Sequence, residues 1–137
     1  MKVRWWMAAC ATALFAMFSG SAARAQEGEH HDHHWDEHNP RFDDHEREAT
    51  RMWYEHHRDH PVVGFRVEDR LPADWEPRLQ VGFVFNADWR RRAHPVPADL
   101  IAELPPPPRY YHYYVVGGHV VLVDSHWRVA DVININL

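Results

Sequence analysis

Five histidines, His30, His31, His33, His34 and His38, fall within one short stretch and are interleaved with Asp32, Asp36 and Glu37. Neutral imidazole is the commonest side-chain ligand for zinc, copper and nickel, and carboxylates complete or orient such sites. Overlapping ligand sets lie within a few residues of one another, so the stretch can wrap an ion without a preformed cage. Ordering it costs entropy, which makes affinity modest and stoichiometry loose, as suits a buffer or scavenger. A solvated low-complexity tail is the competing reading. A second pair, His56 and His60, with His57 and Glu55 beside it, has the i,i+4 spacing that sets two imidazoles on one helical face. The run His56-His57-Arg58-Asp59-His60 lacks the Glu that a zinc protease carries next to its first histidine, so it offers ligation or a solvated face rather than hydrolysis.

The chain has 137 residues, enough for one domain. Met1 to Ala25 reads as a signal peptide: Lys2 and Arg4, an apolar run from Trp5 to Phe18, then small residues ending in Ala23-Arg24-Ala25. That run is shorter than the ~20 apolar residues of a membrane span, so the membrane enters only during export, and a periplasmic protein beginning at Gln26 is expected. Beyond Ala25 there is no cysteine and no lysine, with Ser125 and Thr50 the lone hydroxyl residues of their types. Thiol catalysis, disulfides and Cys-ligated zinc are excluded, and Asp124-Ser125-His126, being consecutive, cannot face one another as a hydrolase triad. No enzyme is expected. Without Lys2, Arg4 and Arg24, 12 basic residues face 20 acidic ones, a balance that does not seek nucleic acid.

The elements that must position these residues follow from pattern. Residues 26–61 form a His/Asp/Glu-rich arm, with too few apolar residues up to Pro40 to offset the entropy of ordering. Asp43 to Arg58 then reads as a helix, with Asp43 and Glu46 as a capping box and the pairs Asp43/Arg47 and Arg51/Glu55 at i,i+4. Its stripe Ala49, Met52, Trp53, His56 is narrow, which predicts a marginal helix stopped by Pro61. Residues 62–137 should form a small α+β domain of four or five short strands and one or two helices. Candidate strands are Val63-Phe65-Val67 and Leu79-Val81-Phe83-Phe85, followed by a turn at Trp89 to Arg92 and a short helix from Ala98 to Leu104. Pro105 to Pro108 is a stiff connector into a three-stranded antiparallel meander, whose first turn, Gly117-Gly118, supplies positive φ. In that register Tyr111, Tyr113, Val115, Val120 and Leu122 share the core face. His112 and His119 share the other, roughly 13 Å apart at ~3.3 Å per residue and unable to hold one ion together.

The C-terminal motifs Leu104-Pro105-Pro106-Pro107-Pro108, the Tyr-rich strand from Tyr110, Val116-Gly117-Gly118, Val121-Leu122-Val123-Asp124 and Arg128-Val129-Ala130-Asp131-Val132-Ile133 resemble those of the RcnB-type periplasmic nickel/cobalt homeostasis family and related bacterial envelope proteins. The resemblance implies a periplasmic role in metal homeostasis. Together with the histidines it predicts an accessory protein that binds divalent nickel, cobalt, copper or zinc through the arm, with no organic cofactor. The alternative is a non-metal envelope protein-protein interaction module, with an envelope protein partner and a pH-sensing arm.

Overall fold

The computed structural model describes residues 33–135. The expected signal peptide at 1–25, His30, His31 and Asn136, the last residue of the expected third meander strand, lie outside them. Asp43 caps the first helix as its side chain predicts: Glu46 N donates to Asp43 Oδ1 at 3.0 Å, and Asp43 N donates to Glu46 Oε2 at 2.6 Å. This reciprocal box starts α1, Asp44–His57, and removes two of the orphan donors at its N-terminus. Chain order then gives α2 (Ala87–Arg91), β1 (His94–Pro95), α3 (Ala98–Glu103), β2 (Tyr111–Val116), β3 (His119–Asp124) and β4 (Val129–Ile133), with 3₁₀ turns at Val67–Asp69 and Glu76–Arg78.

The four strands form one antiparallel sheet in the order β1-β2-β3-β4, the α+β class expected. The hairpin register matches the expected one, with Val116 opposite His119, Tyr114 opposite Val121 and His112 opposite Val123. Gly117 and Gly118 have φ of +59° and +82°, and a Cβ on Gly117 would stand 2.4 Å from the Leu71 side chain, so both conformation and space demand glycine there. Two expected strands are not formed. Residues 63–67 run irregularly into a 3₁₀ turn, and 79–85 make only an isolated bridge, Val84 with Arg128, beside β4. Phe65, Leu79, Phe83 and Phe85 press onto the sheet from loops instead, while Val63, Val67 and Val81 are exposed.

Both faces of the sheet are covered. One face joins Val115, Val120, Leu122 and Ile133 to Phe42, Trp53, Phe65, Leu100 and Leu104. The other joins Val116, Val121, Val123, Val129 and Val132 to Leu71, Leu79, Phe85 and Trp89, so the His119 face is core as well. Trp89, expected in a turn, is the buried residue of α2 and stacks on Trp75 and Phe85. The helix expected to be marginal is packed tightly. It buries Glu46, Thr50 and Trp53 rather than Ala49 and Met52, and Trp53 Nε1 donates to Asp99 Oδ2 of α3 at 2.9 Å. The arm from residue 33 onward thus belongs to the same compact unit as the strands, because its sparse apolar residues, Trp35, Phe42 and Trp53, are large aromatics that all reach one core.

A β-bulge decides how. Leu122 pairs with Asp131 but Val123 pairs with Val129, leaving Ala130 as the extra residue of β4. Val129 therefore faces one core while Asp131 and Ile133 face the other, whereas unbroken alternation would set all three on one face. Asp131, 6 % exposed, accepts Phe42 N at 2.9 Å and Arg47 Nη2 at 2.7 Å through Oδ2, and its own strand's Val132 N through Oδ1. Arg41 and Arg47 also donate to the carbonyls of Ala130 and Val132, which closes the outer edge of β4.

His119 is held by a different arrangement. It is 4 % exposed, its Nδ1 accepts from Ile135 N at 3.3 Å, and its Nε2 lies 3.2 Å from Glu76 Oε1. Those partners fix the neutral tautomer with hydrogen on Nε2. Burial lowers the pKa of the ring below its usual value, and the Glu76 carboxylate offsets this only in part.

Two outcomes follow. Replacing Asp131 by Ala should lower the urea-measured unfolding free energy by about 3 kcal/mol, the low end for breaking a buried pair, since half-exposed Arg47 can turn to water. A native-like midpoint would show that the carboxylate does not hold the arm. Because the folded-state pKa of His119 is depressed, its contribution is complete above the unfolded value of about 6.5 and is lost as pH falls below it. Stability should therefore decline between pH 7 and pH 5, with a shallower slope in His119→Gln; parallel slopes would contradict this.

Candidate functional site

The pinned N-terminal end of α1 brings three metal-capable side chains together. His33 Nδ1 lies 2.7 Å from Glu46 Oε1 and 3.3 Å from Asp43 Oδ2, and donor atoms of all three residues fall within 4.8 Å of one another. Among the described residues this is the one such group of three. A carboxylate can only accept, so Nδ1 carries the hydrogen and donates it to the pair. The His33 side chain is 7 % exposed and Glu46 is 2 % exposed, so the contact is shielded from water and from salt.

Each residue is placed by the fold. Asp43 and Glu46 face one another because they cap the same helix, and α1 is oriented by the bond from Phe42 N to Asp131. His33 is carried in by its neighbour Trp35, whose indole donates to Pro106 O at 2.8 Å and lies edge-on to Phe42, itself stacked on Tyr113. The Trp35 ring centroid stands 4.1 Å from that of His33. Tyr113 donates to Pro105 O at 2.8 Å, so two carbonyls of the proline connector secure the floor of the site.

The electrostatics separate the two carboxyls. Burial pushes Asp43 upward, but hydrogen bonds from Glu46 and His33 outweigh it and hold the carboxyl at about 2. Burial raises Glu46, and its contact with the Asp43 carboxyl raises it further. Tyr113 is held above the ordinary phenol range, first by burial and then by the Glu46 charge. Among the described residues two buried side-chain polar atoms have no hydrogen-bond partner: Thr50 Oγ1, one turn after Glu46, and His33 Nε2, on the side of the ring away from the carboxylates.

Among the described residues, the other histidines singled out by sequence are not drawn into this group. His34 and His38 are exposed, and His38 Nδ1 is 3.9 Å from Asp36. His56 donates from Nδ1 to Met52 O at 2.7 Å. The helix ends at His57, and His60 lies beyond it in a turn closed by its own N–H onto His57 O, so helical i,i+4 geometry does not govern His56 and His60. His57 has both nitrogens engaged, on Trp53 O at 2.8 Å and near Asp99 Oδ2 at 3.2 Å, while its ring stacks on Trp53. His112 and His119 are kept apart by the hairpin, as their register requires. Asp43 and Glu46 were visible in the sequence as a capping box, but nothing in the spacing showed that the box would receive an imidazole ten residues upstream of Asp43.

Among the described residues no helix is long and apolar enough to cross a membrane. No protein-family model and no curated protein matches the chain. Among solved structures, the C-terminal domain of the inner membrane protein CigR from Salmonella enterica is similar in fold, with a TM-score of 0.50 and 24% identity over 64% of this chain and 82% of that one.

Proposed function

We propose that this chain is a bacterial envelope accessory protein that binds a divalent transition metal through its histidine-rich N-terminal stretch, and that the α+β domain is the platform carrying that stretch. The observation supporting this reading is that one imidazole of the run, His33, is clasped by the paired carboxyls of a folded helix. A tail with a purely solvating role needs no such anchor. Imidazole with carboxylate favours nickel, cobalt, copper or zinc over calcium or magnesium, which prefer all-oxygen sites. Periplasmic residence and a part in nickel/cobalt homeostasis are the finer reading. They draw on the leader-like residues 1–25, on the C-terminal motif resemblance and on the fold shared with a domain of an inner membrane protein.

The role is binding rather than catalysis. Cysteine and lysine nucleophiles are missing from 26–137, and His33, Asp43 and Glu46 are locked to one another rather than presented to a substrate cleft. With His33 held in place and His34 and His38 exposed, the histidine run can capture an ion and still exchange it.

Calorimetry of the chain from Gln26 with nickel, cobalt, copper and zinc salts at pH 7.5 checks the reading. Changing His30, His31, His33, His34 and His38 together to Asn should abolish binding, while changing His56 and His60 should leave most of it. Undiminished binding by the five-histidine variant would refute the proposal.

A further inference from the structure

We infer that His33 binds the metal through Nε2, on the face of the ring opposite the carboxylates, and that Asp43 and Glu46 position and activate it through Nδ1 without touching the ion. This rests on the metal-binding reading above and specifies its anchoring atom.

The obvious alternative puts the ion among His33, Asp43 and Glu46, and the distances argue against it. Zinc holds imidazole nitrogen and carboxylate oxygen at about 2.0–2.2 Å, so two ligand atoms in a tetrahedral site stand about 3.3 Å apart. His33 Nδ1 and Glu46 Oε1 are 2.7 Å apart, a hydrogen-bond length with a proton between them. The outer oxygens are committed too: Glu46 Oε2 accepts Asp43 N, and Asp43 Oδ1 accepts Glu46 N. Making Glu46 and Asp43 into ligands would disturb the capping box that starts α1.

Nε2 is in the opposite condition. A hydrogen on Nδ1 leaves Nε2 with a lone pair, and that atom is buried without any hydrogen-bond partner. Buried polar atoms are nearly always satisfied, and an unsatisfied one marks a place where water or an ion belongs. Imidazoles that ligate metals usually donate their other nitrogen to a carboxylate, which fixes the tautomer and makes the ligating nitrogen more basic. His33 has that arrangement already assembled, with two carboxyls in place of one. The tilted Trp35 ring, 4.1 Å away, keeps the imidazole from swinging free. Exposed imidazoles of the same run, His34 and His38, complete the coordination, and one ligand held in place beforehand lowers the entropy of ordering the set.

The test is nitrogen-15 NMR of the labelled chain from Gln26, titrated with zinc chloride at pH 7.5. Without zinc, His33 should show the tautomer protonated at Nδ1. With zinc, its Nε2 resonance should move while Nδ1 keeps its proton, and Glu46→Gln should weaken zinc binding about 10–100-fold while preserving that Nε2 shift. Zinc bound at a deprotonated Nδ1 would overturn the assignment, as would an unmoved His33 while other histidines respond; either leaves the general metal-binding reading standing. No zinc-dependent change at any histidine would overturn both.

Discussion

A buried carboxylate at the edge of the sheet is the constraint from which the rest of this molecule is arranged. Asp131 sits where a charge without partners would cost several kcal/mol, so β4 tolerates it only with donors supplied from outside the strand. Those donors are Phe42 N and the Arg47 guanidinium, which flank the cap of α1. Satisfying Asp131 therefore docks the N-terminal segment, sets the direction of α1 and places Asp43 beside the sheet. The same arginines occupy the carbonyls along the outer edge of β4, where another strand would otherwise pair.

Docking the segment also explains how so small a unit acquires a two-sided core. The α1 side draws on Phe42, Trp53 and, at its margin, Trp35, none of which lies in the strand-rich half of the chain. The other side relies on aromatic stacking, with Trp89 against Trp75, Phe83 and Phe85, and with Arg90 and Arg92 over the rings of Trp127 and Trp75. Large aromatics bury much area per residue, which compensates for a short chain. The proline connector contributes through its carbonyls, which have no strand partner and accept from Trp35 and Tyr113 instead.

Two buried histidines show how surroundings divide one residue type between roles. His119 has a partner on each nitrogen, a backbone N–H and a carboxylate, and so ties the end of β4 to the Glu76 turn. His33 has partners on one nitrogen only, which leaves the other chemically open. His34 and His38 beside it are exposed.

Local chemistry was legible in the residues themselves. The capping box of Asp43 and Glu46, the Gly117-Gly118 turn, the register of the hairpin it closes and the short helix before the prolines all depend on contacts within a few positions, and each formed where its pattern placed it. The apolar alternations at 63–67 and 79–85 carried the period of strands, but the first paired with no strand and the second made only a single bridge, to Arg128, because pairing is a property of neighbours rather than of a segment. Whether α1 was marginal or packed, and which imidazole met its cap, turned on the bulge at Ala130. One extra residue reverses which way Asp131 points, and no periodicity records it. Sequence alone determined which side chains could bind a metal; only the tertiary structure decided that His33 would meet the cap of α1, because the contacts that place its neighbour Trp35 and the cap join residues 71 and 89 positions apart in the chain.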